Sequence, residues 1–222
     1  MRLSSALRTG VWIAAFCLCA QAQNTPAPPG KDTPINETKG LPPRVAPTDY
    51  QAHAQAGTVT VAAEFTGHSV ATMQGTFSTE DYVAVETAVF GPPGARLKLS
   101  IEDFSLRINE KKTLSSQPYG LVFHSLKDPE WEPPASAEGK SKTSIGTGGN
   151  KSDPPPAPVH MPIELQRAMQ QHVQKSALPE GDRALPQAGL IFFDYRGKTE
   201  HIHSLELIYD GPAGKATLTL QP

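Results

Sequence analysis

Two histidines near the C-terminus, His201 and His203, sit one residue apart in Glu200-His-Ile-His-Ser204. On a strand the spacing i, i+2 puts both imidazoles on one face, within reach of a single Zn²⁺ or Cu²⁺ ion. Two ligands do not complete such a site, so a third would have to come from elsewhere in the fold, from His124 or Asp194 for example. The competing reading is a pair of solvent-facing histidines at a strand edge. A second constellation is acidic and aromatic. Asp128, Glu130 and Glu132 surround Trp131 in a loop bounded by Pro129, Pro133 and Pro134. Tryptophan is over-represented at binding hot spots, so this loop suits a partner-binding role. Equally, Trp131 can fold back to cover a sheet edge.

Two further motifs fail on their own requirements. Gly67-His-Ser-Val-Ala71 is close to the Gly-x-Ser-x-Gly nucleophile elbow, but its last position is alanine and residues 72–77 lack the helical period that must follow. Ser69 is therefore expected in a loop. Gly146-Thr-Gly-Gly-Asn-Lys-Ser152 ends like a phosphate-binding loop, yet it has Asn150 and Ile145 where glycines belong and no flanking strand or helix. No catalytic residue and no cofactor is expected.

The N-terminus bears on where such residues would act. Arg2 and Arg8, the apolar run Val11 to Cys19, and the small residues Ala20 and Ala22 form the three parts of a secretory signal over residues 1–22. The run is too short for a permanent span, which takes about 20 apolar residues. No integral membrane segment is expected after cleavage, and the product is expected in the periplasm or outside the cell. Both cysteines, Cys17 and Cys19, lie inside the signal, so disulfides cannot stabilise the mature chain. Losing Arg2 and Arg8 takes the basic count from 20 to 18 against 22 acidic residues. That balance argues against nucleic acid, whose phosphates call for a basic face.

Residues 23–48 are rich in Pro, Thr, Ala and Gly and are expected to form a disordered or polyproline tether. A single domain is expected over residues 49–222. Strand-like alternation marks Thr58–Phe65, Tyr82–Phe90, Arg96–Ile101, Phe104–Ile108 and Tyr119–Phe123. It stops through residues 127–160, read as a mobile insertion. Pro162, Glu164 and the spacing of Leu165, Ala168, Met169, His172 and Val173 predict an amphipathic helix over about 162–176. Strands resume at Gly189–Tyr195. The chain closes with two alternating runs around the turn residues Asp210, Gly211, Pro212 and Gly214, a β-hairpin. The expected class is all-β: an immunoglobulin-like antiparallel β-sandwich with one inserted helix.

Three of these stretches, Asp81–Phe90, Ile101–Asn109 and Ala188–Tyr195, resemble the small secreted bacterial domains with a telokin-like immunoglobulin fold, a family largely without assigned function. The resemblance implies a sandwich and carries over no catalytic residue. The insertion 127–160 and the helix depart from the family pattern. The expected function is a non-enzymatic binding or structural module, with an envelope or extracellular protein as its partner. Two alternatives stand beside it: a metal-binding protein or enzyme using His201 and His203, and an envelope assembly factor that binds clients at a sheet edge.

Overall fold

A computed structural model describes residues 39–131 and 161–222. The signal residues 1–22, most of the expected tether and residues 132–160 lie outside the described residues. Strands β1 (Ala52–Ala56), β2 (Val59–Gly67), β3 (Ser69–Thr72), β4 (Gly75–Thr79), β5 (Tyr82–Phe90), β6 (Arg96–Leu99), β7 (Phe104–Ile108) and β8 (Lys112–Gln117) come first. A short helix α1 (Tyr119–Val122), β9 (Leu126–Lys127), helix α2 (Ile163–Ser176), β10 (Gly181–Ala184), β11 (Gln187–Asp194), β12 (Leu205–Gly211) and β13 (Gly214–Leu220) follow.

The architecture is predominantly antiparallel β. Eight strands form one sheet in the order β1-β2-β5-β11-β8-β7-β12-β13, where the sequence predicted two packed sheets. The sheet curls until its outer strands meet. At one end Gln51 Nε2 donates to Gln221 O at 2.9 Å. At the other, a Cβ on Gly57 would lie 2.2 Å from Ala213 O, so only glycine fits that approach, and its φ of +59° suits it too. The result is barrel-like, and eight strands enclose an interior just wide enough to be filled by side chains.

Strict alternation supplies those side chains. Val59, Val61 and Ala63 from β2, Val83, Val85 and Val89 from β5, and Ile191 and Phe193 from β11 point inward. They meet Phe104, Leu106 and Ile108 from β7 and Leu205, Leu207 and Tyr209 from β12. Phe104 and Tyr209 pack ring against ring at 5.0 Å.

β5 and β11 are apolar on both faces because both faces are covered, as in strands with a layer on each side. On the outer face, Ala84, Leu190 and Phe192 carry Met169 and Val173 of α2, Val122 of α1, and Val70 and Phe77 of the β3–β4 hairpin. Beside them, Ala62, Ala88 and Ala188 lie beneath Tyr50. The predicted helix is present over Ile163–Ser176, with Glu164 in its first turn and Lys175 in its last, both favourable to its dipole.

Several expectations are corrected. Residues 39–48, read as tether, form an ordered strap. Leu41 N donates to Ala188 O at 2.9 Å, and Arg44 reaches Glu64 and Glu86. Composition suggested disorder because the strap buries little of its own apolar surface; hydrogen bonds and charge hold it. Tyr119–Phe123, read as a strand, is mostly the single turn α1 after Pro118, with Tyr119 and Phe123 packed at 5.8 Å across i, i+4. β1, β8, β10 and the β3–β4 hairpin were not anticipated; their exposed polar positions blur the alternation.

Candidate functional site

β2 ends in a bulge between Phe65 and Gly67, where the register with β5 shifts. Gly67 takes φ +62°, a left-handed conformation that glycine adopts without strain, and the kink re-aims the next side chain. That side chain is His68. Its ring lies between two backbone carbonyls, with Nδ1 2.8 Å from Tyr82 O and Nε2 2.9 Å from Gly197 O. Tyr195 stacks alongside, at 6.3 Å and 24°. Which nitrogen donates depends on the tautomer, and the ring is held in place from both sides. Through this one residue the end of β2, the start of β5 and the loop after β11 are joined.

His68 forms one wall of an open groove of about 410 Å³. Ser78, Thr79 and Glu80 line it from β4 and the turn beyond, Lys127 from β9, and Arg196, Gly197 and Lys198 from the loop after β11. Lys127 pairs with Glu80, and Arg196 Nε lies 3.3 Å from Asp81 Oδ1. Lys198 makes no ion pair among the described residues. Three cations therefore face two carboxylates. Exposed ion pairs of this kind contribute about 0–1 kcal/mol, so Glu80 and Asp81 hold their cations only weakly.

The expected partner-binding loop begins at this groove. Lys127 leads directly into a turn in which Glu130 N donates to Asp128 Oδ1 at 2.9 Å and Trp131 N to Asp128 O at 3.2 Å. Trp131 is half-buried. Glu132, the Gly146–Ser152 segment and the proline run after Asp153 lie outside the described residues. Ser69 opens β3 and pairs with Ser78 in a hairpin, so a strand and no helix follows the elbow-like motif. His68 is next to it in sequence, but both ring nitrogens are engaged by carbonyls and neither is free to act as its base.

The histidine pair sits differently from the expectation. His201 ends a 3₁₀ turn over Thr199–His201, and His203 lies in irregular backbone ahead of β12, so the two do not share a strand face. Asn109 fixes this segment: its Nδ2 donates to His201 O at 2.9 Å, and its Oδ1 accepts from His203 N at 2.7 Å. Both side chains are exposed. Among the described residues, no group of three or more His, Cys, Asp or Glu is placed to hold a metal ion. Nor is any described helix long and apolar enough to cross a membrane.

His68, Arg196 and Lys198 escaped the sequence reading as a group. Their association depends on a contact spanning 129 residues, from His68 to Gly197. The one local signal was Gly67 interrupting the alternation of β2. Comparison with protein-family models, curated proteins and solved structures returned no match.

Proposed function

We propose that this chain is an exported, non-enzymatic binding module that takes an anionic group of its partner in the His68 groove. The observation that carries the reading is the convergence of Lys127, Arg196 and Lys198 on one open groove, with the Asp128–Trp131 turn leading from its edge. Export is supported by the charged start, the apolar run and the small residues of positions 1–22. An envelope or extracellular protein is the partner class that fits. The finer fold reading, a telokin-like immunoglobulin relative, rests on the stretches 81–90, 101–109 and 188–195 and on their antiparallel all-β setting.

The test compares the full chain with an Arg196→Ala, Lys198→Ala variant as baits in native envelope extract, with quantitative mass spectrometry and parallel thermal unfolding. A partner captured by the native chain, lost in an equally stable variant and released by salt supports the proposal. Equal capture by both baits refutes the groove as the site. Turnover of an ester, glycan or peptide substrate, abolished by one substitution, refutes the non-enzymatic reading.

A further inference from the structure

Away from the groove, a cavity of about 240 Å³ lies in the layer outside the barrel, walled by α2 on one side and, on the other, by the 3₁₀ turn Phe123–Ser125 and the start of β9. Helical spacing puts Gln166, Met169 and Gln170 on one face of α2 at i, i+3 and i+4, and all three line it. Phe123, His124 and Leu126 come from the opposite wall, and Met161 from the segment before the helix. Gln166 Nε2 donates to Met161 O at 3.2 Å, which ties that segment to the first turn.

The donor set has a definite chemical character. Two methionines and a histidine line the same volume, together with two glutamines, and no carboxylate is among its described lining residues. Mg²⁺ and Ca²⁺ favour anionic oxygens, and structural Zn²⁺ sites favour thiolates or several imidazoles. Thioether ligands select soft Cu(I). The methionines are not scattered. The chain has four; Met1 is outside the described residues, Met73 is 69% exposed on the β3–β4 turn, and the other two line this cavity. Met169 is 2% exposed, Met161 is half-buried, and His124 is exposed.

We infer that this cavity is a soft-metal site, taking a monovalent ion such as Cu(I) through Met161, Met169 and His124. It shares no residue with the His68 groove and stands or falls separately from it.

The probe is Ag(I), a redox-inert stand-in for Cu(I), added in chloride-free buffer to the full chain labelled at the methionine methyls. Cys17→Ser and Cys19→Ser are included because thiols would outcompete thioethers. The Met161 and Met169 methyls are expected to shift together, saturating at one equivalent, with Met73 unmoved as the internal control. His124→Gln and Met161→Leu each weaken binding by at least about tenfold, roughly the loss of 1.4 kcal/mol. Met161 is only half-buried, and its leucine variant is volume-conserving, so it keeps the fold. Shifts of Met73 in parallel with the others, or unsaturated shifts, would show generic thioether binding. No shift at several equivalents would show that the two methionines only pack. Either result overturns the inference.

Discussion

Arg44 holds the strap to the barrel, and its removal should expose a conflict built into the sheet. Glu64 of β2 and Glu86 of β5 are direct cross-strand partners, a like-charge pairing that is unfavourable by itself. Arg44 Nη1 reaches Glu64 Oε2 at 2.5 Å, Nη2 reaches Glu86 Oε2 at 2.9 Å, and the guanidinium carbon lies 4.5 Å from the Tyr50 ring centre. Burial works against the guanidinium charge, but the hydrogen bonds to Glu64 and Glu86 outweigh it and raise the group above its ordinary value. The Glu86 side chain is 14% exposed, so that charge-assisted bond is worth about 1.5–3 kcal/mol. Glu64 is 37% exposed and solvent-screened, adding at most about 1 kcal/mol. Tyr50 adds about 0.5–1 kcal/mol. Because these contributions overlap, Arg44→Met should destabilise by roughly 2–4 kcal/mol, lowering the midpoint of thermal unfolding by roughly 5–15 °C. Urea and thermal unfolding followed by circular dichroism measure the loss, and hydrogen exchange should show faster exchange at residues 41–50. Glu86→Gln in the Arg44→Met background should restore part of the stability by removing the bare repulsion. An unfolding free energy unchanged within about 0.5 kcal/mol, with the strap amides equally protected, would refute the argument.

Asp103 gives a pH signature. Burial raises its carboxyl above the ordinary value, so the folded state holds the proton more tightly than the unfolded chain. Its contribution is fully present below the unfolded value of about 3.9 and is lost as pH rises through the raised folded value. Asp103→Asn should therefore be more stable than the native chain at neutral pH, by under about 1 kcal/mol at this half-exposed site, with the advantage disappearing below about pH 4; urea midpoints across that range check it. Gly189→Ala tests the seam between β11 and the end of α2. A Cβ there would lie 2.4 Å from Leu178 Cα, and the bond from Leu178 N to Leu190 O leaves the backbone no easy retreat. A loss of about 1–3 kcal/mol or more in urea unfolding is expected.

Where one face of an element is wet and the other dry, local pattern was enough. The hairpin of β12 and β13, the alternation of β7 and the amphipathic spacing of α2 appear close to the expected bounds, since each shows its burial within a few residues. The apolar runs of β5 and β11 were readable as strands, but not the reason they are apolar on both faces. That reason is the strap and α2, which arrive from distant parts of the chain. The histidine pair shows the converse: spacing suggested a shared strand face, and the bonds from Asn109 placed both residues in irregular backbone instead.

By itself the sequence determined the antiparallel all-β class, the helix and the closing hairpin, because side-chain alternation and turn chemistry act over neighbouring residues. The tertiary structure decided that eight strands curl into one sheet, that residues 39–48 are a strap, and that His68 meets Gly197 beside Lys127 and Lys198. Those outcomes depend on edge closure, on a charge balanced across two strands, and on carbonyls from stretches of chain far apart in sequence, none of which leaves a periodic trace in the chain.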